Sequence, residues 1–440
     1  MSYIPNIIFV LLFATGIFFF TQNVKKLIRN IKLGKDVNRK DKASERIQNM
    51  LRIAFGQSKM TKRPIAAILH GVVYVGFVII NLELLEIIID GIFGTHRVLS
   101  FMGGFYNVLI ASFEILAFLV IVAVIIFWVR RNVTKIKRFT STEMTEWPKK
   151  DANTILYIEI VLMSLFLLMN AADYWLQQHD VAYYKSVGSF PISQYISPIF
   201  NGFEGHVVQI FERIFWWLHI IGILLFLNYL YYSKHLHIIL AFPNTYFADL
   251  NPQGKFDNLE SVTKEVKLML DPTADPFAAS SSDTPPAKFG ASDVMDLNWV
   301  QLLNAYTCTE CGRCTSSCPA NQTGKKLSPR KVMMDTRDRL EEVGKNMDAN
   351  KGVFVDDGKS LLNDYITTEE LWACTSCNAC VEECPVSISP LSIIMDMRRY
   401  LVMEQSAAPQ PVNVMMSNIE NNGAPWPYNQ MDRLNWKDEN

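Results

Sequence analysis

No cysteine precedes Cys308 and none follows Cys384, so a disulfide framework spread through the chain is excluded. A Gly-x-Gly-x-x-Gly dinucleotide loop, a nucleotide P-loop and an obvious hydrolytic constellation are also missing. Net charge is close to absent at -1, which argues against nucleic acid as a partner. Lys and Arg are nearly missing from two segments: 90–103 carries only Arg97, and 177–210 only Lys185.

Long apolar runs, by contrast, fill the first 240 residues. Five of them, at about 4–24, 65–89, 104–129, 154–176 and 211–232, approach or exceed the roughly 20 residues that a membrane-crossing helix needs. Ile115 to Trp128 has no charged residue at all. The first run starts at Ile4 without a basic leader and is expected to be a retained span. Thirteen Lys or Arg lie between Asn23 and Arg63, and seven between Arg130 and Asn153. Basic loops stay cytoplasmic, so the N-terminus is expected outside a cytoplasmic membrane and the cysteine region inside. Ser44 to Phe55 is either a basic amphipathic helix at the inner surface, with Ile47, Met50, Leu51 and Ala54 on one side, or an ordinary solvated helix.

The eight cysteines form two runs of one spacing: Cys308-x-x-Cys311-x-x-Cys314-x-x-x-Cys318-Pro319 and Cys374-x-x-Cys377-x-x-Cys380-x-x-x-Cys384-Pro385. In the two-cluster ferredoxin arrangement, three cysteines of a run bind one [4Fe-4S] cube and the fourth binds the other. Cys308, Cys311, Cys314 and Cys384 are then expected on one cluster, and Cys374, Cys377, Cys380 and Cys318 on the second. Zinc sites rarely use this spacing. Each run is followed by a serine–proline pair that predicts a capped helix start, Ser328-Pro329 and Ser389-Pro390. Helices are expected over Pro329 to Val343, with Val332, Met333, Thr336 and Leu340 inward, and over Thr368 to Trp372.

Histidine inside a span is costly unless it has a partner or ligand. His70 lies near the inner end of the second span, His219 in the fifth, and His235 and His237 at the inner end of the fifth. His219 and His237 are 18 residues apart, five helical turns, and are expected to share one face about 27 Å apart. His70 with His237, or less favourably with His235, is expected to ligate a b-type heme. His219 is a candidate ligand of an outer heme whose partner is open, because Ile80 stands where a second-helix histidine is expected. His96, His179 and His206 are the remaining choices. Glu83, Glu86, Glu114 and Glu159 lie in or near spans, and Glu114 is the candidate for a proton or quinone role. Hydrogen-bonded structural residues are the competing account of all of these.

The five spans and the spacing of His219 and His237 resemble the cytochrome b subunit of respiratory nitrate reductase and the membrane subunit of heterodisulfide reductase. The cysteine region, about 292–404, resembles the iron–sulfur subunits of heterodisulfide reductase, fumarate reductase and anaerobic glycerol-3-phosphate dehydrogenase. The resemblance implies an all-α bundle of five transmembrane helices fused to a cytoplasmic, mainly helical two-cluster ferredoxin-like domain. It also implies quinone as substrate and, because no Cys-Cys-Gly motif is present, a cytoplasmic Cys-Cys-Gly or flavoprotein partner. The expected divisions are 1–245 membrane domain, 246–291 linker, 292–404 cluster domain and 405–440 extended tail, with 271–290 as a tether. Two functions follow: an electron relay between quinone, heme, clusters and a soluble partner, or a membrane anchor whose clusters are structural and which has no heme.

Overall fold

The computed structural model describes residues 3–273 and 288–438. The Asp275-Pro276 and Pro285-Pro286 pairs of the expected tether lie outside the described residues. Five helices are long and apolar enough to cross a membrane: α1 (Ile4–Ile31), α3 (Pro64–Phe93), α4 (Gly104–Asn132), α5 (Glu146–Gln178) and α7 (Gly205–Tyr229), the last extended by a 3₁₀ turn to Tyr232. Each contains an expected span, the fifth by way of its 3₁₀ turn, and α1, α4 and α5 overrun theirs into polar sequence. Between them lie α2 (Ala43–Met50) and the single turn α6 (Ser193–Ile196). Helix α5 packs on α4 and α7, α3 on α4, and α1 on both α7 and α3. Exposed side chains such as Ile68, Phe77, Phe118 and Leu225 leave an apolar outer surface, as lipid requires.

Past the bundle come α8 (His237–Tyr246) and α9 (Glu260–Leu270), then the cysteine region: α10 (Trp299–Thr307), α11 (Arg313–Ser316), α12 (Pro319–Gln322), α13 (Pro329–Ala349), α14 (Leu361–Asp364), α15 (Thr368–Ala373), α16 (Ala379–Glu383) and α17 (Pro390–Met403). The fold is all-α; among the described residues the only β pairing is two isolated bridges. Ser328 and Ser389 cap α13 and α17, accepting from Lys331 N and Ser392 N, with proline in the first turn of each. The apolar side expected for α13 is buried.

Two expectations need correction. The fifth helix does not continue to His237. It ends at Tyr229, Ser233 is extended (φ -106°, ψ 148°) and accepts from His235 N, and α8 begins afresh at His237. His219 and His237 therefore do not share one helical face. The tail is not all extended: α18 covers Gln410–Asn422, opened by Pro411 and closed by Gly423 at φ +66°. The segment 44–55 keeps apolar side chains on its outer surface, which suits both readings of it. Arg46, Ile53 and Ala54 are buried, while Ile47 and Leu51 stay exposed, because Arg46 donates to Ala248 O (3.0 Å) and Asp41 Oδ1 (2.7 Å).

The cysteine region is seated on the basic end of the bundle. Lys35 exchanges backbone bonds with Leu297 and Trp299 (2.7 and 3.1 Å), and a β-carbon on Gly34 would lie 2.6 Å from Trp299 N. Leu27, Leu230, Leu236 and Leu240 share one core with Leu302, Val332 and Ile393.

Candidate functional site

The two cysteine runs fold alike down to the backbone. Cys308 and Cys374 each cap the end of a helix, α10 and α15. Two residues on, Glu310 and Ser376 take φ of +55° and +58°; two further, Gly312 and Asn378 take +69° and +60°. These left-handed residues coil each loop so that backbone N–H groups face inward. Ser376 N approaches Cys374 Sγ at 3.4 Å, and Ile388 N approaches Cys384 Sγ at 3.3 Å. Such donors stabilise thiolate and cluster charge.

The runs meet crosswise. Cys384 joins Cys308, Cys311 and Cys314 around one cavity, with Cys380 also on its wall. Cys318, from the first run, lies within electrostatic reach of Cys374 and Cys380, as does Cys377. Burial pushes the Cys308 and Cys380 thiols up to about 12 and Cys384 to about 11. Thiolates there need a cationic partner to persist. Among the described residues no three His, Cys, Asp or Glu side chains converge as a single metal ion needs. A cube spreads its four thiolates over four iron corners, so sets of four sulfur donors have the chemistry of such a cluster rather than of a single ion.

The first loop faces the bundle. Buried Glu310 accepts from Arg337 Nη1 (2.8 Å) and pairs with Lys234, which lies just before His235. Burial pushes the Glu310 carboxyl up, but Lys234 and Arg337 outweigh it and hold it below the ordinary range. Arg313 reaches Lys59 O (3.5 Å), and fully buried Arg330 donates to Arg138 O (2.6 Å) and Glu143 (2.7 Å). Cys377 of the second loop is exposed.

Despite the broken helix, His70 and His237 meet, with ring centroids 6.4 Å apart and planes tilted by 41°. An imidazole–iron–imidazole unit spans about 6 Å between centroids when each bond is about 2 Å. His237 Nδ1 lies 3.0 Å from Lys234 O, and a carbonyl only accepts, so the proton sits on Nδ1 and Nε2 is left to ligate. Burial, with His237 and His70 beside it, pushes His235 down to about 3 and keeps it neutral. His235 Nε2 lies 3.7 Å from Glu159 Oε1 instead.

The outer candidates are placed differently. His219 has Phe166 as its ring neighbour (5.9 Å), and its Nδ1 lies 3.0 Å from Leu162 O. Among the described residues no second imidazole reaches it: His179 stacks on Trp175, His96 pairs with Asp173, and His206 with Glu204. Glu114 is fully buried and accepts from Ile192 N, Ser193 N and Asn170 Nδ2 (2.9, 3.0 and 3.3 Å), so it clamps the loop entering α6. Arg97, bound to Asp173, Asn170 and Tyr106, was not singled out by the sequence, although an isolated arginine in an otherwise uncharged outer loop is a signal.

Residues 303–388 match the family model of the 4Fe-4S dicluster domain. The chain is 29% identical to a probable iron-sulfur-binding oxidoreductase, FadF, of Bacillus subtilis, over 98% of this chain and 61% of that protein. The EtfAB:quinone oxidoreductase of Syntrophomonas wolfei is 26% identical over 92% of the chain and 55% of its own length. One component of the ferredoxin/F420H2-dependent CoB-CoM heterodisulfide reductase of Methanosarcina acetivorans is 31% identical over 27% of the chain and 60% of its own length. The chain is related to membrane-associated iron–sulfur oxidoreductases. It spans less than two thirds of the length of each of these relatives, and no solved structure matches it.

Proposed function

We propose that the chain is a membrane-anchored electron-transfer subunit that carries two [4Fe-4S] clusters on the cytoplasmic face of the cell membrane and exchanges electrons with quinone. The observation that carries this is the crosswise meeting of the two cysteine runs, with the first loop held on the basic end of the bundle. Cys308, Cys311, Cys314 and Cys384 hold the cluster nearer the membrane, and Cys374, Cys377, Cys380 and Cys318 the one nearer solvent. The clusters would supply one-electron steps. The chain's own residues fix their spacing, surround them with N–H donors and exclude water from the inner loop. Exposed Cys377 marks the side where a soluble flavoprotein or Cys-Cys-Gly partner docks. The iron–sulfur part has support from the matched family and relatives, and quinone from one relative's name.

Heme rests on geometry alone. His70 and His237 would hold a b-type heme, supplying a further one-electron centre beneath the first cluster. The heme-free anchor reading needs no more than the matched dicluster domain and the five helices, and is the one on which the comparisons bear directly.

Anaerobically purified protein is expected to contain about eight iron and eight acid-labile sulfide per chain and to give a paramagnetic signal on reduction. Zinc without iron would end the proposal. A bis-imidazole spectrum that disappears in His70→Ala supports heme. No heme in the wild type, with clusters that a quinol analogue cannot reduce, leaves the anchor reading standing.

A further inference from the structure

Between α3, α4, α5 and α7 runs a slot of about 140 Å³, away from the cysteine loops. Its wall includes Ile80, Glu83, Glu159, His219 and His235, and along α3 it extends from Val73 to Ile87, about 21 Å at 1.5 Å per residue. Phe77 and Asn81 belong to the same wall and are exposed on the side of α3 that faces lipid, so the slot opens laterally to the bilayer.

Two polar groups on this wall have unused capacity. Glu83 is 3% exposed, and its Oε2 has no hydrogen-bond partner among the described residues. A buried carboxyl oxygen without a partner costs free energy unless something else fills its place. His219 is equally buried, and because Leu162 O takes the Nδ1 proton, its Nε2 has a lone pair to offer. The volume matches one small aromatic group, since a cavity of about 150 Å³ takes up benzene, while a four-pyrrole macrocycle is far larger.

We propose that this slot binds the headgroup of a lipophilic quinol–quinone couple that enters from the bilayer, with His219 Nε2 accepting the hydrogen bond of one quinol hydroxyl and Glu83 Oε2 that of the other. The assignment rests on the quinone-linked reading above and adds its site. Reduction of a bound quinone to the quinol consumes two electrons, from the iron–sulfur relay, and two protons. Glu83 stands where one proton is handed over, and Glu159, on the same wall, where the other is. Behind Glu83 lies a polar chain to the loop opposite the cysteine region. Glu86 accepts from Tyr106 (2.9 Å) and Leu99 N (2.8 Å), and Arg97 joins Tyr106 (3.2 Å) to Asp173 (2.5 Å). His219 thus serves a quinone rather than an outer heme.

The test uses the full chain in lipid nanodiscs, with a short-chain benzoquinol held reduced under anaerobic conditions as probe and quenching of tryptophan fluorescence as readout; Trp216 and Trp217 lie close to His219 on α7. Saturable binding is expected to weaken at least tenfold in Ile80→Trp, which fills the slot, and in His219→Phe. Glu83→Gln is expected to keep binding within about threefold but to slow quinone reduction at least tenfold. Iron and sulfide content and folding, read by thermal unfolding, are measured on every variant. Unchanged affinity in both Ile80→Trp and His219→Phe, with clusters intact, overturns the slot while sparing the relay. Loss of one heme per chain in His219→Phe also overturns it. Absence of clusters from the wild type fails the relay reading instead, whatever the quinone does.

Discussion

Gly312 and Asn378 occupy equivalent places in the two cysteine loops and share a left-handed backbone, +69° and +60°. Glycine takes that conformation at no steric cost, and asparagine is among the residues that tolerate it. The paired Glu310 and Ser376 have no such preference, so their turn is enforced by the loop rather than chosen by the residue. This is why the duplication could be read from the cysteines, the prolines and the serine caps, while its backbone detail could not. The crossing of Cys318 and Cys384 has a direct consequence. Cys384→Ser is expected to lower iron from about eight to about four per chain. Adding Cys308→Ser should cost no further cluster, whereas adding Cys318→Ser should remove the remaining one. Iron and sulfide analysis of the three variants decides, and equal loss in both double variants would contradict the assignment.

At the level of elements, hydropathy located all five long helices because lipid imposes a simple rule on composition. It missed the break after α7, where no Pro or Gly marks the site. Ser233 ends the helix by accepting from His235 N, and Asp151 holds the new turn by accepting from Tyr229 and from Lys234 N. The pairing of His70 with His237 was legible even though its helical premise was wrong. Helix α18 escaped because its apolar residues have no core to face and none is buried. Helix α13 carries a testable device. Arg339, wholly buried, holds Asp293 (2.9 Å) and Asp357 (2.6 Å) and donates to Lys359 O (2.8 Å). Arg339→Met removes the cation from two partly exposed carboxylates and is expected to cost about 1–3 kcal/mol. The hydrogen bond from Arg339 holds the Asp357 carboxyl below its usual range. Its contribution is therefore complete above the unfolded value, about 4, and fades as pH falls through the lower folded value. Hydrogen exchange of residues 356–361 should accelerate below about pH 4 in the wild type and be fast at all pH in the variant. An unaltered profile in Arg339→Met would count against this anchoring role.

For the whole molecule, the basic ends of the bundle and the cysteine region are on one side. Lys62 meets Glu382, Arg63 meets Glu383, and Lys234 meets Glu310. Lys62 and Arg63, which indicate sidedness in the sequence, thus also bind the cluster region. With that side in the cytoplasm, exposed Lys185 should react with an impermeant amine reagent added to intact cells, and exposed Lys351 only after lysis. Mass spectrometry of the labelled peptides reads the result, and the opposite pattern would invert the topology. What the sequence could not convey was how firmly the halves are joined. A tether was expected, yet Lys35 is stitched to Leu297 and Trp299, and Asn244 donates to Val386 O (2.7 Å). Those contacts hold the cysteine region down from two directions. Electrons here would travel a hard-wired conduit, with rates set by frozen gaps, and not be ferried by a swinging arm; thickening the solvent should therefore slow only the encounter with a soluble partner.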